Sequence, residues 1–215
     1  DINYINRNQL PQYAYNPGTG AINLNENRIL FEWKRLEKGK YKTSLTAPGL
    51  KNIAKVTNIT LDLENNKGPV YSYELDETKF KERWSVNKRI LGKKGSRWLP
   101  VRESSYYATE ALKQLLVDRG IEIRNMGRKK VPKNSRLLCT HYSADNKIIL
   151  KSALKHSKNM VTESLGLFTS RLISPNLYDL DQSAIIMTRW FRNIIGKQNS
   201  LFLNHSGLSA GSFST

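Results

Sequence analysis

The sequence predicts an α+β fold in which a β-rich first part is followed by a helical last third. Apolar and polar residues alternate in short runs up to about residue 101, and turn residues separate these runs. From residue 104 onward, the apolar residues recur instead at helical spacing. The hydrophobic content of 39% is enough to build a buried core, which excludes a wholly disordered chain.

The predicted strands are the runs with a period of two. Asn, Gly and Pro separate them, as they commonly do between strands of an antiparallel sheet. Asn25, Glu26 and Asn27 follow the first run, and because Asn tolerates positive φ they predict a short hairpin turn. The runs are Ala21–Leu24, Arg28–Lys34, Ile59–Leu63, Val70–Tyr73 and Trp98–Val101.

Helices are predicted where the apolar residues recur every three or four positions. For the first helix, Ser104 or Ser105 suits the N-cap and Gly120 suits the position just past the end. Ile121–Arg124 then predicts a short extended run. The predicted helices are Ser105–Gly120, Asp145–His156, Lys158–Phe168 and Asp181–Gly196. In the last of them, the residues expected to face inward are Ile185, Ile186, Trp190, Ile194 and Ile195.

Two polar segments divide the chain. Residues 1–19 are rich in turn formers and predict a loop or linker. Residues 124–136 are basic, contain the run Arg128-Lys129-Lys130 and predict an exposed connection at a domain boundary. This run could contact phosphate, but a solvated linker is favoured because no aromatic residue is interleaved with it.

The charge and the single cysteine restrict the classes of function. The chain has 35 Lys and Arg against 18 Asp and Glu, a formal charge of +17. Nucleic acid, anionic lipid head groups or an acidic cell-wall polymer could balance this excess, which could also serve solubility alone. Cys139 excludes an intrachain disulfide framework, and its apolar neighbours predict a small buried side chain. No apolar run reaches the roughly 18 residues of a membrane span.

The histidines do not predict a metal site. His141, His156 and His205 have no Cys or carboxylate at the spacing of metal ligands, and no Gly-rich phosphate loop follows a strand. We therefore expect neither a metal nor a cofactor.

The tripeptide Ser157-Lys158-Asn159 is the strongest chemical signal. It matches Ser-x-Asn, the second of three elements used in Ser-Lys catalysis, which also needs Ser-x-x-Lys and Lys-Thr-Gly. The tripeptide alone is weak, and its ordinary alternative is a helix cap. Its position between two predicted helices, with Glu163–Gly166 close behind and Asn204–Ser209 about forty residues later, strengthens it.

These stretches resemble the low-molecular-mass penicillin-binding proteins that act as D-alanyl-D-alanine carboxypeptidases and endopeptidases. Leu154–Glu163 resembles the family's helix, Ser-x-Asn motif and following helix. Asn204–Ser209 resembles its Asp-x-Ser-Gly-Leu-Ser signature, with Asn204 where Asp is common. The other matches, in family order over nearly the whole chain, flank its inserted β-domain: Tyr15–Gly18, Leu24–Asn27, Phe31–Lys34, Arg97–Arg102, Tyr107-Ala108 and Gly120-Ile121.

The resemblance implies a β-lactamase- or transpeptidase-like core that is split by inserted domains. Residues 1–19 would be a linker from the N-terminal core segment, 20–133 a β-rich inserted domain and 134–215 the helical part of the core. The implied reaction is acyl transfer, in which a serine attacks the D-Ala-D-Ala carbonyl, D-alanine leaves and water releases the acyl-enzyme. In it, Ser157 relays a proton and Asn159 holds the peptide carbonyl of the substrate, while Lys158, the variable middle residue, is expected to be solvated.

The resemblance also implies the compartment and the partners. We expect a periplasmic protein that acts on peptidoglycan stem peptides, with cross-linked peptides as further substrates and β-lactams as inhibitors. No nucleic-acid partner is expected, and a homodimer is left open. The other class of function is a non-catalytic basic module that binds cell-wall polymer or nucleic acid.

Two of the three catalytic elements are not found where the family has them. Ser85 with Lys88 and Ser152 with Lys155 match Ser-x-x-Lys, but the first pair lies in the β-rich part and the second lies directly before Ser157. The family order predicts the nucleophile before Asp1 and Lys-Thr-Gly after Thr215, and the chain opens on Asp, not Met. The alternative is a degenerate homologue without catalysis.

Overall fold

The computed structural model describes residues 2–49, 53–127, 129–177, 179–196 and 199–213. These residues form two β-sheets with a helix packed on them, and a further group of three helices. The α+β fold class is therefore confirmed. The strands are β1 (Arg28–Arg35), β2 (Tyr41–Pro48), β3 (Ile53–Lys55), β4 (Ile59–Glu64), β5 (Tyr71–Asp76), β6 (Lys81–Asn87) and β7 (Lys94–Pro100), and the helices are α1 (Ser104–Val117), α2 (Asn146–His156), α3 (Asn159–Ile173) and α4 (Leu180–Ile195).

The larger sheet has the strand order β3-β2-β1-β7, and all its neighbouring strands are antiparallel. Alternating residues of β1, Ile29 and Phe31, are fully buried, which explains why this strand lies inside the sheet. The register places Phe31 opposite Leu45 of β2 and Arg97 of β7. One face of the sheet therefore covers the core, and the other faces solvent.

The smaller sheet has the order β4-β6-β5, in which β6 pairs antiparallel with β5 and parallel with β4. Trp84 and Val86 of β6 are fully buried. Helix α1 adds Tyr107 and Ala111 to the same core, and the Tyr107 hydroxyl donates to the carbonyl oxygen of Arg28 at 2.8 Å. Both sheets and α1 consequently share one hydrophobic core.

Helices α2 and α4 begin at side-chain caps. The Asp145 carboxylate accepts from the Lys147 backbone N–H at 2.7 Å, and the Asp179 carboxylate accepts from Gln182 N–H at 2.7 Å. Helix α4 ends at Gly196, whose φ of +73° suits a residue without Cβ. Helix α3 packs on α4 through a buried contact between the hydroxyls of Ser170 and Ser183, 2.8 Å apart.

Arg102 fastens the N-terminal segment to the β-rich part. Its side chain is fully buried, and its guanidinium donates to the carbonyl oxygens of Asn16 and, at 3.1 Å, of Pro11. The guanidinium also lies 4.1 Å from the centre of the Tyr4 ring. Residues 2–19 thus lie packed against the β-rich part. The division into a linker, an inserted domain and a core stays a prediction.

Glu82 lies beneath this junction and is buried. Its carboxylate accepts the backbone N–H groups of Arg102 and Glu103 at 3.0–3.1 Å and the hydroxyl of Tyr73 at 3.0 Å. Burial nevertheless raises the pKa of Glu82 to about 7, while these hydrogen bonds and the charge of Arg102 act in the opposite direction.

We predict that Glu82 makes the protein less stable as the pH rises from about 4.5 to 7. An unfolded chain loses this proton near 4.5 whereas the folded chain keeps it to about 7, so rising pH favours unfolding in that window. Glu82→Gln should remove about 2–3 kcal/mol of this pH dependence, measured as the difference in urea unfolding free energy between pH 4.5 and 7.5. Equal pH dependence in the variant and the parent would contradict the prediction.

Several secondary-structure predictions are confirmed and others are wrong. Four predicted strands correspond to β1, β4, β5 and β7, and each predicted helix corresponds to one of the four α-helices. Ala21–Leu24 and Ile121–Arg124 are not strands. Residues 25–27 do have positive φ, but they form a turn that enters β1 without a preceding strand. The N-cap of α1 is Glu103, not either serine. Strands β2, β3 and β6 were not predicted.

Two predictions of burial are also wrong. Ile185, Trp190, Ile194 and Ile195, expected to face inward, are 47–64% exposed, because α4 buries another set of residues instead: Leu180, Ser183, Ala184 and Thr188. Ile186 is half-buried. Cys139 is exposed, since it lies in an irregular segment that packs on nothing in the described part of the chain.

The basic segment between α1 and α2 is exposed as predicted, including Lys129 and Lys130. Arg128 lies outside the described residues.

Within the described ranges, no helix combines the length and apolar character needed to cross a membrane.

Candidate active site

Ser157 occupies the junction between α2 and α3. It is the C-cap of α2 with φ 49° and ψ 54°, the left-handed region, and its side chain is exposed. Its backbone N–H and that of Lys158 both donate to the carbonyl oxygen of Ala153. Glycine is the usual residue at such a C-cap, and serine there costs about 1–2 kcal/mol. The fold therefore presents this hydroxyl to solvent from a strained position, a feature often found at functional sites.

Asn159 is the first residue of α3. Its side-chain amide donates to the carbonyl oxygen of Tyr15 at 3.1 Å. The N-cap of α3 is Lys158, and no side-chain hydrogen bond caps this helix end within the described residues. A helix cap is the ordinary explanation for Ser157 and Asn159, but neither side chain caps the start of α3.

Lys158 forms an ion pair, where a solvated side chain was expected. Its Nζ lies 2.7 Å from Oε1 of Glu26, and Arg28 binds the other oxygen of that carboxylate at 3.0 Å. The Lys158 side chain is about one-third exposed, which limits the pair to under about 1 kcal/mol. The ion pair mainly fixes position, because it joins the Ser157-Lys158-Asn159 motif to the turn before β1.

Glu163 connects α3 with the loop Asn204–Ser209. Its side chain is fully buried, and its two oxygens accept the backbone N–H groups of His205 at 3.0 Å and Ser206 at 2.8 Å. Glu163–Gly166 and Asn204–Ser209 both stand out in the sequence, but only the structure shows that Glu163 binds the backbone of the Asn204–Ser209 loop. Two charge-assisted hydrogen bonds to a buried carboxylate make this a stiff support directly behind the motif helix.

His205 is part of the same support, because its ring contacts two residues of α4. Its Nε2 lies 2.6 Å from the hydroxyl oxygen of Ser183, and its Nδ1 lies 3.0 Å from the sulfur of Met187. Burial lowers the pKa of His205, although the charge of Glu163 acts in the opposite direction. The ring is therefore neutral at neutral pH. The described residues contain no group of three potential metal ligands.

Gly166 explains how the imidazole fits against α3. A Cβ atom on this glycine would lie 2.1 Å from Cγ of His205, far inside van der Waals contact. A helix interior normally disfavours glycine, so a packing requirement is the physical reason for it here.

The N-terminal segment also contacts this helix. The hydroxyl oxygens of Thr19 and Ser164 lie 2.7 Å apart, and Thr19 is buried. Together with the bond from Asn159 to Tyr15, this places residues 2–19 across both the β-rich part and α3.

The two Ser-x-x-Lys matches lie elsewhere. Ser85 is in the middle of β6, between Asp62 of β4 and Ser72 of β5. Ser152 is half-buried on α2, the helix that leads into Ser157.

Comparison with known proteins gives a family match and two structural matches. The model of the "D-Ala-D-Ala carboxypeptidase 3 (S13) family" matches residues 8–212. Penicillin binding protein 4 from Haemophilus influenzae, in a crystal structure complexed with a β-lactam, is 18% identical with a TM-score of 0.68, and the match covers 94% of this chain and 46% of that one. A second crystal structure of the same protein is 17% identical with a TM-score of 0.70, covering 100% and 47%. The chain thus spans less than half the length of these structures, and at this identity they show similarity of fold. No curated protein matches the chain.

Proposed function

The chain belongs to the D-Ala-D-Ala carboxypeptidase 3 (S13) family, and from this premise we propose that it forms part of a penicillin-binding serine carboxypeptidase of the periplasm. The family resemblance predicted from the sequence is thereby confirmed. The proposed substrates are peptidoglycan stem peptides that end in D-Ala-D-Ala, and the proposed inhibitors are β-lactams, which resemble that dipeptide in their reactive carbonyl. A homodimer stays an open prediction.

The observation that carries this proposal is the exposed left-handed Ser157 at the α2–α3 junction, within a family match that covers residues 8–212. A hydroxyl held there can reach a substrate that lies across the end of α2. The support behind it, Glu163 with His205, restricts movement of α3 and hence of the motif.

The proposed reaction is acyl transfer in two steps. A nucleophilic serine on a segment outside these 215 residues attacks the carbonyl carbon of the penultimate D-alanine, and the bond to the terminal D-alanine breaks. The hydroxyl proton of that serine passes to the lysine of Ser-x-x-Lys, which returns a proton to Ser157 as the Ser157 hydroxyl gives its own to the departing amine, and D-alanine leaves. Water then attacks the ester, and the serine recovers its proton as the carboxylate product is released.

Asn159 is proposed to orient the substrate. One N–H of its amide donates to Tyr15, which leaves the second N–H and the amide oxygen for a peptide group of the substrate.

On this proposal, residues 20–133 form an inserted domain and residues 134–215 form the helical part of the core. Residues 1–19 connect to a preceding core segment.

The test is acylation by a fluorescent penicillin. We expect no stoichiometric labelling of the 215-residue chain alone, and labelling of a polypeptide that extends it by encoded flanking segments with Ser-x-x-Lys and Lys-Thr-Gly. In the extended protein, Ser157→Ala should slow acylation by about 100-fold, the typical contribution of a positioned proton donor and acceptor.

Ser152→Ala is the matched control, because Ser152 lies on the same helix but is not proposed to act. Its acylation rate should equal that of the unmodified protein. The proposal fails if the isolated chain is labelled stoichiometrically, if Ser157→Ala is labelled at the normal rate, or if Ser152→Ala abolishes labelling.

A further inference from the structure

One end of the larger sheet carries a dense group of positive charges. The group lies at the end of β1, the start of β2, the start of β7 and the loop between β1 and β2, and all its side chains are exposed. We call this group the cationic tip; it consists of Lys34, Arg35, Lys38, Lys40, Lys42, Lys93 and Lys94. The only acidic residues in the same stretches are Glu32 and Glu37.

Three lysines of the cationic tip stand side by side in the sheet register. Lys34 of β1 is directly opposite Lys42 of β2 on one side and Lys94 of β7 on the other. Their side chains point away from the face of Phe31, because alternate residues of a strand face opposite sides. Like charges directly opposite each other destabilise a sheet, so this row is unfavourable for the isolated fold.

Among the residues that the structure describes, no acidic side chain forms an ion pair with this row. The ion pairs found among the described residues involve Arg28, Lys79, Arg83, Arg124 and Lys158, and none involves a residue of the cationic tip. The positive potential of the tip is therefore available to an external anion.

The loop at the apex of the cationic tip is built to expose charge. Lys38 has a φ of 55° and precedes Gly39 with a φ of 71°. The backbone N–H of Leu36 donates to the carbonyl oxygen of Lys40 at 2.8 Å and closes the loop. Glycine or asparagine is the favoured residue in this backbone region, and a lysine there places an ammonium group at the apex at a conformational cost.

A shallow cleft of about 520 Å³ adjoins the lysine row. The half-buried Trp33 ring lies on the other face of the sheet, because it packs against Phe31 with 5.1 Å between the ring centres. The remaining lining groups are polar or charged: Glu32, Lys34, Lys42, Thr43, Ser44, Lys94 and Ser96. Such a surface suits a hydrated polymer that carries spaced carboxylates and hydroxyls. A nucleic acid would be better served by several exposed aromatic rings.

We propose that the cationic tip binds the carboxylates of peptidoglycan and holds the protein on the wall polymer, at a site separate from Ser157. The choice of peptidoglycan as the polyanion rests on the proposed function. The binding itself needs no catalysis, because it arises from the lysine row and the adjoining cleft.

The test is co-sedimentation of the 215-residue chain with purified peptidoglycan sacculi. The variant Lys34→Gln, Lys42→Gln, Lys94→Gln should bind at least about tenfold more weakly than the parent, since it removes three positive charges from one row. Binding of the parent should also weaken steeply with added salt.

The matched control removes the same charge elsewhere. Lys129→Gln, Lys130→Gln, Lys133→Gln alters three exposed lysines of the irregular segment, and its binding should change by less than about twofold. The control variant should keep the parent's melting temperature, and the Lys34, Lys42 and Lys94 variant should keep or raise it, because it removes the like-charge row. Sacculi whose carboxylates have been amidated should bind the parent no better than they bind the Lys34, Lys42 and Lys94 variant.

Three outcomes would overturn the inference. They are equal losses in both triple variants, undiminished binding to amidated sacculi, and tighter binding of duplex DNA or anionic vesicles than of sacculi at equal salt. Penicillin labelling of the extended protein separates the two proposals. Tip variants that lose sacculus binding should be labelled normally, whereas Ser157→Ala should lose labelling and keep sacculus binding.

Discussion

Arg102→Met is expected to lower the free energy of unfolding by about 3–5 kcal/mol, the usual cost of removing one partner from a buried charged cluster. The guanidinium is buried and binds the backbone carbonyls of Asn16 and Pro11, which would lose their partner. Glu82 would also lose a neighbouring cation whose charge lowers its pKa. The measurement is urea unfolding followed by far-ultraviolet circular dichroism at pH 7.

Arg97→Met provides the control for this prediction. Arg97 is half-buried, and its guanidinium lies 4.8 Å from the centre of the Tyr71 ring, a contact that contributes about 1 kcal/mol or less. Limited proteolysis gives a second readout, because Arg102→Met should release residues 2–19 for cleavage and Arg97→Met should not. A loss of less than 1 kcal/mol in Arg102→Met would contradict the importance given to this residue.

Gly166→Ala is expected to destabilise the protein by about 2–3 kcal/mol, although the same change in an ordinary helix interior stabilises it by about 0.5–1 kcal/mol. The reversed sign follows from the 2.1 Å separation between the new Cβ and Cγ of His205. The imidazole cannot move away freely, since Ser183 and Met187 contact its two nitrogens. Thermal or urea unfolding measures the change.

A double-mutant cycle isolates the cause of this effect. In a His205→Ala background the ring is absent, so Gly166→Ala should become neutral or stabilising, with a coupling free energy of about 3 kcal/mol between the two sites. If Gly166→Ala destabilises both backgrounds equally, contact with His205 is not the reason for the glycine.

The parts of the fold that were predicted correctly are those in which a local pattern matches the final environment. Ile29, Phe31 and Trp33 recur at every second position of β1, and α4 has Asp179 before it and Gly196 after it. Strand β6 was missed because Lys81, Glu82 and Arg83 obscure its alternation. Glu82 faces inward only because residues distant in sequence supply its hydrogen bonds. The periodicity of α4 locates its apolar face but contains no information about what covers that face.

In the candidate site, the sequence located the motif but not the contacts that support it. Ser157-Lys158-Asn159 was located at a helix junction from its sequence alone, because helical periodicity stops and restarts there. Glu163 binding the backbone of His205 could not be foreseen, since 42 positions separate the two residues. The pairing of Lys158 with Glu26 likewise depends on how the two halves of the chain pack.

The contact between Thr19 and Ser164 spans 145 positions of the chain. Residues 2–19 are synthesised before α3, so this segment cannot reach its final position until α3 has been made. Closing so large a loop is entropically slow, and contacts of this separation delay folding. The β-rich part can form earlier, because its sheets and α1 share a core within residues 28–117. Residues 2–19 are therefore expected to become ordered after the β-rich part that follows them in the chain, which makes their protection from amide hydrogen exchange a late event in refolding.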